Sequence, residues 1–311
     1  MKKMLALLAV AGLLLFTACG DGGESTTSNP STNNPAVAAA PTPAPAAANP
    51  AATVTPITGP IDVISRESGS GTRDAFVEIL GILEDGVDRT YIEAVIQTGT
   101  GAVITAVAGN LYAIGYISLG SVRDDVRAMP INGVPATAEN VQNGSYPLFR
   151  TFYLATPRNL EPLAQDFLDF IVSAEGQEIA VSRGFVAIGD NLPAFSGGGL
   201  TGTLEISGST SMVDLMERIA AAYMELHADT RIEIHSTGSG AGITDAREGR
   251  VAFGMASRAL RPAELEYVDS VTMAHDGLAV IVHNDNPIAS LTTEQVRDIF
   301  MGELPRWSDT H

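Results

Sequence analysis

From Ile61 onward the apolar residues alternate between two rhythms. Short apolar runs read as strands, and stretches with apolar residues every three or four positions read as helices. "IDVIS" (61–65), "YAIGYISL" (112–119), "RIEIHS" (231–236), "VAFGMAS" (251–257) and "GLAVIVHND" (277–285) are strand candidates. "TRDAFVEILGIL" carries Phe76, Ile79, Leu80 and Leu83 at helical spacing, and "AVITAVAGN" continues the pattern. The run from Leu163 to Phe185 reads as one long amphipathic helix whose early apolar face is Leu163, Phe167, Leu168 and Ile171. "SMVDLMERIAAAYMELH" lines up Leu215, Met216, Ile219, Tyr223 and Leu226. "LTTEQVRDIFMG" opens with a capping box, Thr292 as N-cap and Gln295 three residues later. The alternation predicts an α/β fold with both faces of mixed sheets covered. "SGGGLTG", Ser196 to Gly202, is the clear internal linker.

The first residues break this rhythm. Lys2 and Lys3 precede an apolar run, Met4 to Phe16, too short for a comfortable membrane span. It ends in "FTAC", which resembles a bacterial lipoprotein signal over residues 1–19, with cleavage before Cys19 and lipid on its thiol; Phe16 stands where leucine is usual. An ordinary secretory signal is the alternative. Cys19 is the single cysteine, so no internal disulfide can form. Residues 20–58 are rich in Ala, Pro, Thr, Ser and Asn, and they read as a tether that holds a domain away from a membrane surface.

Charge narrows the function. The formal charge is −18 and the only lysines are Lys2 and Lys3, a poor basis for nucleic-acid binding. No cofactor or metal set is legible, because the five histidines are scattered and lack ligand spacing. His235 and His275 read as ordinary strand-end residues. A Walker loop is excluded by the absence of lysine from the body, and no G-x-S-x-G elbow surrounds Ser70, Ser211 or Ser239. What does recur is a strand, a Gly/Ser/Thr turn and a helix start: "SGSGTRDAF" (68–76), "SGSTSMVDL" (207–215) and "STGSGAGITDA" (236–246). Such a turn offers unpaired N–H groups, a positive dipole end and hydroxyl donors to an anion. Singly, these loops are more often plain caps. Three of them, one beside Arg66, point together to an oxyanion, and Ser257 adds a candidate at a strand end.

At this point longer motifs tell more. "VISRESGSGTRDAF", "AIGYISL", "FLDFIVSAEGQEIAVSRGFVAI", "HSTGSGAGITDAREGRVAFGMASRAL" and "MAHDGLAVIVHNDNPIASLTTEQVRDIFMGELPRW" resemble the phosphate-binding receptors of bacterial phosphate ABC importers over nearly all of Ile61 to His311. In that family the "GSTS" half comes first and the "SRE.GSGTR" segment follows; here the order is reversed. A circular permutation bridged by "SGGGLTG" accounts for this, and a fused, truncated tandem is the competing explanation. The resemblance implies two α/β lobes of the periplasmic-binding-protein type (type II-like) around a cleft, one lobe from 59–145 plus 273–311, the other from 146–272. It implies inorganic phosphate held by Arg66, Ser70, Gly71, Thr72, Thr210, Ser211, Ser239 and Ser257, no catalysis, permease subunits of an ABC importer as partners, and an extracytoplasmic, lipid-anchored location. Some relatives place an Asp after the Ser of the "GMAS" strand end, where it accepts the ligand's proton. Here Arg258 stands there. Asp276 or Glu67 then becomes the candidate acceptor, with a salt bridge to Arg66 as the other role for Glu67. Sulfate stays open as an alternative ligand, as do a non-transporting sensor and a phosphatase-like enzyme.

Overall fold

The computed structural model describes residues 56–310. The signal segment, Cys19 and nearly all of the tether expectation lie outside the described residues. Ile57, at the end of the stretch read as tether, is buried in the first lobe's core.

The chain begins with β1 (Asp62–Arg66), α1 (Gly71–Ile79), a small hairpin of β2 (Leu83–Glu84) and β3 (Val87–Asp88), then β4 (Val95–Gln97), α2 (Thr100–Ala108), β5 (Ala113–Ser118), β6 (Val126–Ala128) and α3 (Ala138–Gln142). β7 (Phe149–Thr156) carries it into a second lobe: α4 (Pro162–Ile171), α5 (Ala174–Ser182), β8 (Gly202–Gly208), α6 (Val213–Leu226), β9 (Thr230–Ser236), α7 (Ser239–Arg247), β10 (Phe253–Ala256) and α8 (Pro262–Leu265). The long β11 (Asp269–His283) returns to the first lobe, which α9 (Thr293–Met301) completes.

One sheet runs through both lobes in the order β4-β1-β5-β11-β7-β10-β8-β9, with β6 also on β11. β1 is parallel to β4 and β5. β8 is parallel to β9 and β10. The two crossing strands are antiparallel. Asp269–Gly277 of β11 pair with β7, and Leu278–Val282 pair with β5. The cores divide accordingly, with Phe76, Tyr116, Phe300 and Trp307 in the first and Phe152, Phe167, Met216 and Tyr223 in the second. The lobe boundaries read from sequence shift by a few residues. Tyr146 and Leu148 belong to the first core, and Met273 and Ala274 to the second.

The single long helix expected from Leu163 to Phe185 is two. Ser173 separates them, its hydroxyl donating to the Phe170 carbonyl at 2.7 Å and accepting from Gly176 N at 3.2 Å. That satisfies groups at both helix ends, so the break costs little despite continuous apolar periodicity. The capping box of α9 forms as read, with Gln295 N on Thr292 Oγ1 and Thr292 N on the Gln295 side chain.

The two ends of the described chain lie side by side. Ile61 N donates to Pro305 O at 2.8 Å and Trp307 N to Gly59 O at 3.0 Å, with Trp307 fully buried beneath.

Candidate functional site

β1 and β5 run opposite in sense to β8, β9 and β10 across the antiparallel crossing strands, so the C-terminal ends of the two sets face one another and the loops after β1, β8 and β9 gather along one seam, where the lobes meet. β1 delivers Arg66, and the loop after it delivers Ser70, Gly71 and Thr72. Ser70 is the N-cap of α1, accepting from Arg73 N at 3.3 Å. β8 delivers Thr210 and Ser211, and Ser239 opens α7. Ser257 follows β10. Gly99 and Gly238 precede α2 and α7 at φ 86° and 90°, left-handed values that a β-carbon would strain.

The hydroxyls interlock across the seam. Thr72 Oγ1 lies 2.6 Å from Ser211 Oγ. Ser209 Oγ donates to Ser257 Oγ at 2.8 Å, and Ser257 N donates to Ser239 Oγ at 3.2 Å. Gly240 N donates to Gly69 O at 3.1 Å, a backbone bond from the second lobe to the first. A β-carbon on Gly71 would collide with Ser239 Oγ and lie 2.8 Å from Ser257 Oγ, so only glycine permits this approach. All eight expected residues are brought to the seam, and all but Thr210 are buried.

Arg66 is the charge among these donors and is 1% exposed. Its Nε and Nη2 grip Glu67 at 2.7 and 2.8 Å, and Nη2 also donates to Thr210 Oγ1 at 3.0 Å. Gly99 N adds a third donor to Glu67 at 3.3 Å. The Arg66 backbone is held from below, where its N–H reaches the Tyr116 hydroxyl at 3.2 Å. The Tyr116 ring stacks on Phe76 at 3.8 Å, so the core of the first lobe fixes the base of the arginine. Arg66 Nη1 has no partner. It is the one buried side-chain nitrogen or oxygen so placed among the described residues. An unpaired buried donor costs about 1–3 kcal/mol, more when charged. A buried guanidinium with a free donor, on a side chain that also holds the Thr210 hydroxyl, is a place for an oxyanion.

Both candidate proton acceptors are engaged with arginines. Burial alone would raise the Glu67 carboxyl, but the hydrogen bonds and charge of Arg66 outweigh it and hold the group below the ordinary carboxylate range. This is the salt-bridge role. Asp276 is buried and accepts from Arg150 Nε and Nη2, both at 3.0 Å, and from Ser118 Oγ at 2.8 Å. Burial still pushes its carboxyl up. Arg150 Nη1 reaches on to Ser257 O at 3.3 Å, tying the crossing strands to the seam. Arg258 does not stand free. It pairs with Asp74 and Glu264.

Sequence reading missed Thr100. It begins α2 and contributes its N–H at 3.3 Å and its hydroxyl at 3.1 Å to Thr210 Oγ1. The signal was present in "QTGTGAV", a further Gly/Thr turn before a helix. Beside the seam, a cleft of about 540 Å³ is lined by Gly99, Thr100, Arg123, Arg183 and Thr210 among others.

Comparison with known proteins identifies the family. A family model described as a PBP superfamily domain matches residues 27–175 and 194–311. The chain is 44% identical over 253 residues to the phosphate-binding protein PstS 2 of Streptococcus pneumoniae serotype 4, covering 80% of this chain and 87% of that one. This chain belongs to the phosphate-binding-protein family of the PBP superfamily. PstS 2 of Streptococcus agalactiae serotype V is 36% identical over 317 residues, 99% of this chain and 98% of its own length. The crystal structure of a phosphate ABC transporter phosphate-binding protein from Streptococcus pneumoniae superposes with a TM-score of 0.66 at 43% identity, covering 81% of this chain and all of that one. The receptor fold expected from the motifs is therefore the observed one. Among the described residues no group of three or more His, Cys, Asp or Glu could hold a metal, and no helix is long and apolar enough to cross a membrane.

Proposed function

We propose that this chain is an extracytoplasmic receptor that binds one inorganic phosphate between its lobes and delivers it to the permease of an ABC importer, with no catalysis of its own. The observation that carries the reading is Arg66 Nη1, buried and unpartnered on a guanidinium whose Nη2 holds Thr210, itself bonded to Thr100 and next in the chain to Ser211, which pairs with Thr72. The ligand set is then Arg66, Ser70, Gly71, Thr72, Thr210, Ser211, Ser239 and Ser257, joined by Thr100. Asp276 and Glu67 act on it through arginines. The relatives' printed names, phosphate-binding proteins and a phosphate ABC transporter component, support the same assignment.

The mature chain would be anchored by lipid on Cys19 and spaced from the membrane by the tether, residues 20 to about 56. The body would be a circular permutation of the family's usual order. The adjacency of Gly59 and Trp307 supports this.

Titration calorimetry with phosphate tests the binding. One phosphate per chain, weakened at least about tenfold in Arg66→Ala through loss of charge-assisted hydrogen bonds, is the expected result. Equal affinity in that variant refutes the site. Incorporation of a palmitate analogue that disappears in Cys19→Ser tests the anchor.

A further inference from the structure

Asp74 sits in the first turn of α1, three residues past Gly71. A carboxylate there suits the helix dipole. It is poorly placed for an anion receptor, because this same helix N-terminus walls the proposed site and a nearby negative charge opposes the ligand. Its partners give a reason for its presence. Asp74 Oδ2 accepts from Arg258 Nε at 2.9 Å and from Arg261 Nη2 at 2.9 Å, and both arginines belong to the other lobe.

Those arginines are held from within their own lobe. Arg258 donates Nη1 and Nη2 to the two oxygens of Glu264 at 2.8 Å each, and Nη1 also to Ala259 O at 2.8 Å. Glu264 accepts from Arg261 N at 2.7 Å as well. None of these contacts involves the first lobe, so they persist whether the lobes are apart or together. Only the contacts to Asp74 cross the seam.

We propose that Asp74 is a closure latch: it pairs with Arg258 and Arg261 when the lobes meet and loses both when they part. Arg258 is thereby a positioning residue for lobe closure. An interaction made only in the closed form strengthens binding of whatever anion closes the lobes, and it does so mainly by slowing release. It adds nothing to selectivity between anions. The latch rests on the receptor reading above.

Stopped-flow kinetics with phosphate, run beside thermal melts, tests it. Asp74→Ala should raise the dissociation rate about tenfold, as expected for truncating one partner of a partly buried charge cluster. Association should change less than about threefold, because the variant removes one charge at the mouth and no donor. The melting temperature without phosphate should stay within about 2 °C, while the rise on adding phosphate shrinks. Arg261→Ala, at an exposed position, should move the same quantities in the same direction by less. Unchanged release from Asp74→Ala overturns the latch. So does a ligand-free melting temperature that falls by as much as the liganded one, which would mark a plain structural contact. If the parent binds no phosphate, the receptor reading fails. The latch then falls with it, whereas unchanged release from the variant of a parent that does bind phosphate overturns the latch alone.

Discussion

Replacing Arg66 by methionine keeps most of the buried stem and removes the guanidinium. In the parent, Nη1 is free for the ligand, while Nε and Nη2 hold Glu67 and Thr210. Hydrogen bonds to charged groups contribute about 1.5–3 kcal/mol each. Loss of one or two from Nη1 therefore weakens binding by about 2–5 kcal/mol. The side chain of Glu67 is 23% exposed, so its stranded charge would be only partly screened and would repel an arriving anion. The two effects together amount to at least about 3 kcal/mol, or more than about a hundredfold in affinity. A micromolar parent, near −8 kcal/mol, would fall to about 100 μM or weaker. Calorimetry reads the loss directly. Arg66→Met/Glu67→Gln separates the causes: if the stranded charge matters, the double variant regains part of the affinity, while loss of the Nη1 bonds remains. An Arg66→Met protein binding phosphate within about threefold of the parent would refute the argument, because no hydrogen bond of this class is worth so little.

Gly71→Ala should abolish tight phosphate binding while leaving the ligand-free melting temperature nearly unchanged, since its methyl meets Ser239 Oγ and Ser257 Oγ only across the seam; a closed, phosphate-bound crystal structure of the variant would contradict this. Glu67, Asp88, Asp245 and Glu264 all titrate below the ordinary carboxylate range. Groups whose folded pKa is depressed add stability above their unfolded values, and that stability is lost as pH falls through the folded values. Melting temperature should thus drop steadily below about pH 4.5, with a shallower drop in Glu264→Gln; a melting temperature that rises on acidification would contradict the sign. A rearranged chain, opened at Gly198 and joined from Thr310 to Ile57 by a short flexible link, should fold and bind phosphate as the parent does, judged by circular dichroism and calorimetry. An unfolded product would mean that the adjacent ends are not interchangeable with a continuous chain.

Local patterns in the sequence foretold the local parts of this architecture. Strand, glycine turn and helix were readable at β1 to α1, β8 to α6 and β9 to α7, because the turn residues and the helix caps are neighbours in the chain. Thr100 obeys the same pattern and was passed over, since an apolar run after it reads as an ordinary helix start. Long-range partners were not readable. Arg150 meets Asp276 across 126 residues, and Arg258 meets Asp74 across 184. No local rule says which of 16 arginines finds which carboxylate. The break at Ser173 was hidden for a related reason. Apolar periodicity continues through it, and only the Phe170 carbonyl and the Gly176 N–H show that the serine caps two helices.

An acidic chain can still form an anion site, because the site depends neither on net charge nor on the order in which its strands are made. The net charge of −18 is spread over a surface in water, where charges farther than about 8 Å are screened at physiological salt. The seam is buried, so the few dipoles and the guanidinium within it act with little screening. The carboxyls around it, Glu67, Asp276 and Asp74, are each paired with an arginine, at 2.7, 3.0 and 2.9 Å. Chain order matters as little. Every proposed ligand group lies at the end of a strand or the start of a helix at the seam. The adjacent ends, Gly59 with Trp307, and the Ser196–Gly202 linker contribute none of those groups. Reversing the halves alters which strand is made first, not which strand ends face one another.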